Sequence, residues 1–202
     1  MHLNLFLMPR GHHESAWRHP ASTPRALTDL ELYVEAARIA EAAKFDAVFL
    51  ADAVVAPTGG LLASGAFEPI TLLSALAVAT QKIGLIGTAS TTYSLPYTLA
   101  RQFASLDHLS KGRAGWNIVT SWAPQAGLNY GRDKDISHGE RYAMAEDFLK
   151  AVDALWRSYP AEAVLDDRAS AQYLDTSLIR PVNHKGPYWQ TQGPLNIPGS
   201  PQ

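Results

Sequence analysis

Short apolar runs alternate with helically spaced segments four times along this chain, and that order leaves few folds open. The runs are Leu3 to Met8, Asp46 to Ala51, Ile83 to Gly87 and Ala114 to Val119. Each is short and close to continuously apolar, the pattern of a parallel strand covered on both faces. The first, closed by Pro9 and Gly11, reads as a buried strand. A repeated strand–helix order gives a parallel sheet with right-handed crossovers. Two architectures satisfy it, an open doubly wound sheet or a closed eight-stranded barrel. The segment after the first strand, GHHESAW, is not the G-x-G-x-x-G turn of a dinucleotide fold, and there is no P-loop. The pattern alone does not choose between the two.

The helical segments carry start signals. Thr28 and Glu31 form a Thr-x-x-Glu capping box, after which Leu32, Ala36, Ile39 and Ala43 recur at helical spacing. Glu68 to Gln81 is rich in alanine and leucine, with Pro69 allowed in a first turn. Pro96 opens a helix with Leu99, Phe103 and Leu106 as its apolar stripe. Ser137 and Glu140 form a second capping box. Met144, Phe148, Val152 and Leu155 predict the buried face of that helix, which runs to near Tyr159. Glu146, Asp147, Lys150 and Asp153 are expected in solvent. Beyond Pro160 the periodicity fades. His184 to Leu195 reads as extended segments with turns at Gly186-Pro187 and Gly193-Pro194.

Bulk properties exclude several partners. A net charge of −2 offers no footprint for nucleic acid or an anionic membrane. There is no cysteine, hence no disulfide frame, thiolate nucleophile or thiolate metal site. No run approaches the ~20 apolar residues of a membrane span. The N-terminal MHLNLFLMPR lacks a basic leader, so a cytoplasmic location is expected.

Polar residues gather at the C-terminal ends of the strand runs, where parallel α/β folds place their sites. Asp52 follows the second run and is either a turn residue or a site acid. Thr88, after the third, offers a hydroxyl but also suits a strand end sterically. Asn117 lies near the end of the fourth, and the pattern does not say which way it points; buried, its amide needs partners. His138 and Tyr142, four apart, share a helix face beside Arg141. A helix N-terminus can favour a phosphate, but the residues alone read as a surface cap. His12, His13 and His19 crowd one loop with Trp17. His12 and His13, adjacent and extended, would point to opposite sides, which makes chelation of one metal awkward. A metal-dependent hydrolase would draw on His12, His13, Asp52 and His138, but no H-E-x-x-H motif supports it.

The segment LDHLSKGRAGWNIVTS, with GHHESAWRHP before it and HKGPYWQTQGPLNIPGSP after it, resembles the luciferase-like flavin monooxygenases. More narrowly, it is similar to the branch of nitrilotriacetate, dibenzothiophene-sulfone and alkane monooxygenases. The resemblance runs over essentially the whole chain and implies a TIM (β/α)8 barrel of luciferase-like type. Such a barrel takes ~250 residues. Residues 1–202 are therefore expected to be a single domain, an incomplete barrel of about four N-terminal βα units. Residues 160–202 would be part of an irregular insertion. A truncated product with an unclosed, apolar sheet edge is the expectation, an inert fragment its limiting case.

The resemblance also implies chemistry. Asp52, Thr88, His138 and Tyr142 match flavin contacts of the family, with His138 and Tyr142 in an H-x-x-R-Y motif. Asn117 is a further candidate for the flavin ring, and His12 or His13 for the substrate. The cofactor would be FMN, supplied reduced as FMNH2 by a separate NADH-dependent flavin reductase. Dioxygen would give a flavin hydroperoxide, one oxygen passing to a small organic substrate and the other leaving as water. The full-length form would be a homo-oligomer.

Overall fold

The computed structural model describes residues 1–56, 67–121, 123–132 and 135–201. The segment from Ala53 to Phe67, which its glycines mark as a loop in the sequence, falls mostly outside them. Four parallel strands, β1 (Asn4–Phe6), β2 (Ala47–Leu50), β3 (Gly84–Ser90) and β4 (Ala114–Val119), lie side by side in sequence order. Helices α1 (Leu30–Ala42), α2 (Pro69–Ala79) and α3 (Pro96–Ser110) connect them. The chain clusters into two compact units. The first holds residues Met1–Ala89, Arg113–Asn117 and the short helix α4 (Pro124–Leu128). The second holds Ser90–Gly112, Ile118–Ser121 and α5 (His138–Trp156) with the segments after it.

In the first unit, the register pairs Phe6 with Phe49 and Phe49 with Ile86. Val48 and Leu85, on the opposite side of the pleat, are 0% exposed. That side meets the helices, because a Cβ on Gly87 would stand 2.9 Å from Leu73 of α2. Local chemistry fixes each element. The Glu68 carboxylate accepts the N–H groups of Ile70 and Thr71, capping α2 ahead of Pro69. The Arg113 guanidinium donates to the carbonyls of Ala77, Thr80 and Ile83, satisfying the orphan C-terminus of α2. Burial pushes that guanidinium below its ordinary pKa, against the pull of Glu41. Glu41 of α1 accepts the N–H groups of Gln81, Lys82 and Ile83 and so aligns the entry to β3. Burial works against its charge, yet those three donors hold its carboxyl below the usual range.

In the second unit, α3 ends on Lys111 in the left-handed conformation at φ 60°. Ser137 caps α5 by accepting the Glu140 N–H. Met144, Phe148, Val152 and Leu155 are buried, as their spacing predicts. Antiparallel ladders follow, β5 (Val164–Asp167) with β6 (Gln172–Leu174) and β7 (His184–Lys185) with β8 (Gln190–Thr191).

Several expectations need correction. The first run is not a buried strand. Asn4 and Phe6 are exposed, because the sheet order makes β1 an edge strand. The α1 cap is Asp29, whose side chain accepts from Glu31, rather than Thr28. Its buried stripe is Tyr33, Val34, Ala37 and Ala40, while Ile39 is 70% exposed. β3 runs on to Ser90 instead of ending at Gly87, and α5 ends at Trp156 rather than near Tyr159. Asp147 is not in solvent; it is 4% exposed, because the β7–β8 hairpin covers it.

Candidate functional site

In the first unit the face of the sheet without helices carries a graded set of side chains. A Cβ on Gly115 would stand 3.0 Å from the Ile86 side chain, so Gly115 and Ile86 share that face. Alternation then places Thr88 and Asn117 on it too. The Asn117 amide nitrogen donates to Thr88 Oγ1 at 2.9 Å, settling the direction that the pattern left open. Trp116, next in line, points the other way and donates its indole N–H to the Ala89 carbonyl at 3.0 Å. Between the strands' middles and their C-terminal ends the face passes from Phe6, Phe49 and Ile86 to Thr88 and Asn117.

The histidine pair separates. His12 lies against Phe6, ring centroids 5.3 Å apart, and Phe6 lies against Phe49 at 5.0 Å. An aromatic row thus leads from β2 to the loop after β1. His12 Nδ1 stands 3.0 Å from Met8 Sδ. His13 instead turns onto its own loop and accepts the Ser15 N–H through Nδ1. His19 does the same with Ala21. His12 therefore borders the open face, and His13 serves a turn. The row was missed in the sequence, although Phe6 at the end of β1 and Phe49 one residue before the end of β2 were a usable signal.

Asp52 comes two residues after β2. The residue keeps contact with solvent, yet loss of hydration pushes its carboxyl above the usual carboxylate range. The Ala53 N–H works against that shift, and the negative charge of Glu68 adds to it.

In the second unit, Ser121 adopts a left-handed backbone at φ 51° and its hydroxyl donates to Ser90 Oγ at 2.8 Å. Thr91 and Thr92, both fully buried, donate their hydroxyls to the carbonyls of Val119 and Thr120. His138 and Tyr142 meet on the first turns of α5 with ring centroids 4.8 Å apart. Tyr142 is 57% exposed. Arg141, between them, turns back to donate to the Ile136 carbonyl. Two rings, a serine cap and the free N–H groups of a 19-residue helix form a setting that suits a phosphate with an adjoining polar chain.

Among the described residues no three histidine, aspartate or glutamate side chains gather in a way that would hold a metal ion. No described helix is long and apolar enough to cross a membrane.

The family model for luciferase-like monooxygenases matches residues 5–202. The N-acetyl-S-(2-succino)cysteine monooxygenase of Bacillus subtilis (strain 168) is 45% identical over 201 residues, which are 99% of this chain and 46% of that protein. Nitrilotriacetate monooxygenase component A of Aminobacter aminovorans is 43% identical, over 100% of this chain and 48% of its own length. Among solved structures, a riboflavin lyase crystallised with modified FMN and riboflavin superposes with a TM-score of 0.89 at 34% identity. The match covers 100% of this chain and 48% of that one. The chain thus spans about half the length of the curated relatives it matches.

Proposed function

The chain belongs to the luciferase-like monooxygenase family, and from that premise we propose that it carries the flavin-holding part of an FMNH2-dependent monooxygenase. The fold is that of the family's TIM barrel over about half its extent, and flavin-dependent oxygenation is the family's chemistry. The observation that carries the reading is the Thr88–Asn117 pair, a hydrogen-bonded polar rung beside the apolar Phe49 and Ile86 on the open face of the sheet. A hydroxyl and an amide there match the alternating carbonyl and N–H edge of an isoalloxazine ring. The apolar stretch beside them matches the ring's faces. Asp52 stands at the next strand end. His138 and Tyr142, on the α5 terminus, suit the ribityl phosphate.

Reduced FMN, when bound, supplies the electrons with which dioxygen is split, one atom entering the substrate and the other leaving as water. The protein's own part is binding, orientation and exclusion of water. Thr88 and Asn117 orient the ring. Phe6, Phe49 and Ile86 keep the adjoining surface dry. Asp52, kept partly dehydrated, accepts a hydrogen bond or holds a proton at its carboxyl oxygen. His12, on the aromatic row, borders a small organic substrate. FMNH2 would come from a separate NADH-dependent reductase, in keeping with a relative named as component A. The relatives act on chemically different molecules by their names, so no single substrate is assigned.

Anaerobic titration of the chain with reduced FMN tests the reading. Saturable binding is expected, and Tyr142→Phe should weaken it by about fivefold, the loss of roughly one hydrogen bond. No binding by the wild-type chain, or unchanged affinity in the variant, would count against the flavin reading and the phosphate-end assignment respectively.

A further inference from the structure

A buried carboxylate that the proposed chemistry does not use lies on the middle of α5. Asp147 is 4% exposed and accepts three hydrogen bonds, from the N–H groups of Tyr188 at 2.9 Å and Trp189 at 2.8 Å and from His184 Nε2 at 2.8 Å. All three donors belong to the β7–β8 hairpin or its turn. The Trp189 indole adds a bond to the Met144 carbonyl at 3.1 Å, and its ring meets Phe148 edge-on at 5.4 Å. Gly186 completes the contact. A Cβ there would come within 1.7 Å of Asp147 Oδ1, so only glycine lets the turn close over the carboxylate. A charge buried among three donors is costly to strip of any of them, which makes the clamp specific to one placement.

The placement has a direction. Asp147 is nine residues from His138 and five from Tyr142, roughly 180° and 140° around the helix. The hairpin therefore grips α5 on the side turned away from the two rings, starting two residues past Tyr142 at Met144. The terminal turns that carry His138 and Tyr142 lie beyond the grip, with their rings exposed or stacked on each other.

We propose that Asp147 is a positioning residue, locking the β7–β8 hairpin behind α5 so that the helix terminus bearing His138 and Tyr142 is held in place for the flavin phosphate. This rests on reading that terminus as the phosphate end. Asp147 touches no part of the flavin; it acts through the helix.

The test compares FMN with riboflavin, which has the ring and ribityl chain but no phosphate, for the wild-type chain, Asp147→Asn and Gly186→Ala. Gly186→Ala pries the clamp from the hairpin side and serves if Asp147→Asn fails to fold. Either variant should weaken FMN binding by about tenfold and riboflavin binding by less than about twofold. Parallel weakening of both ligands would mean general loosening and would overturn the positioning role, as would unchanged FMN affinity. Hydrogen exchange supplies a readout independent of any flavin. Backbone amides from Arg141 to Ala145 should exchange faster in both variants. If the wild-type chain binds neither flavin, the flavin reading fails while faster exchange still sustains the brace. Unchanged exchange in folded variants removes the brace whatever the flavin result.

Discussion

The two faces of the sheet in the first unit share strands, register and backbone, and differ in almost everything else. One face is sealed. Val48 and Leu85 are fully buried, and the helix α2 approaches so closely that Gly87 has no room for a side chain. The other is left open by the helices. Phe6 on it is 37% exposed, Phe49, Ile86 and Asn117 are half-buried, and Thr88, bonded to Asn117, is buried. The sealed face is mainly aliphatic, with Trp116 on the same side of β4, and holds the unit together. The open face mixes aromatics with one hydrogen-bonded polar pair, and its apolar surface is only partly used by the fold. Alternation with period two lets one strand serve both ends at once. Partial exposure of that kind is consistent with the proposed seat for a large planar ligand.

The largest effect that would break this comparison is on stability. Leu85→Ala on the sealed face should cost roughly 3 kcal/mol, the usual range for emptying a fully buried leucine site. Ile86→Ala, one residue on and facing the open side, should cost less, about 2 kcal/mol, because part of its surface meets solvent. Urea denaturation of the two variants measures the difference directly. Equal costs would mean that something covers the open face in solution and that the asymmetry is not real.

Next in size is a split between stability and ligand affinity. Thr88→Val keeps the shape of the side chain and removes the oxygen that Asn117 bonds. The amide, half-buried at the strand end, keeps access to water, so the stability loss should stay within about 1 kcal/mol. Reduced FMN should bind about tenfold more weakly, since the rung that orients it is gone. The same substitution losing several kcal/mol of stability with no change in flavin affinity would make the pair part of the core, and the open face would lose its claim to be a site.

What the sequence made legible follows from the range of each signal. Local chemistry was readable. Ser137 and Glu140 announced the α5 cap, and Met144, Phe148, Val152 and Leu155 announced its buried face. Pro69 marked the first turn of α2, whereas the capping role of Glu68 is seen only in the folded chain. Neighbours were not readable. Leu3 to Met8 looked buried because an apolar run carries no information on whether a strand pairs on one side or two. The α1 stripe was misplaced because alanines at 36, 37, 40 and 43 give two parallel rows, and only packing chooses between them. Asp147 looked solvated because its partners, His184, Tyr188 and Trp189, lie 37 to 42 residues away. At the proposed site the resemblance named candidates but not how they meet. That Asn117 turns to Thr88, and that His12 rather than His13 joins the aromatic row, are facts of the folded strands.

The smallest effect sharpens the comparison at the strand ends, where stability and function pull in opposite directions. Asp52 keeps its proton more tightly in the folded chain than in the unfolded one, chiefly through lost hydration and also through Glu68. A carboxyl with a raised folded pKa is in balance below the unfolded value, near 4, where both states are protonated. As pH rises past that value the unfolded state gains by ionising first, and stability is lost until the folded carboxyl ionises as well. At neutral pH the Asp52 charge is thus a liability to the fold. Asp52→Asn should raise the melting temperature slightly at pH 7 to 8, and its advantage should shrink with falling pH and vanish below about 4. The same variant should bind reduced FMN more weakly. A thermal melt series from pH 3.5 to 8 decides the first half and the anaerobic titration the second. A variant less stable at pH 7, or one whose advantage ignores pH, would show that Asp52 is an ordinary turn residue. A stabilised variant with impaired flavin binding is the pattern of a group kept against the interest of the fold, and it would separate the strand ends from the sealed face more clearly than burial does.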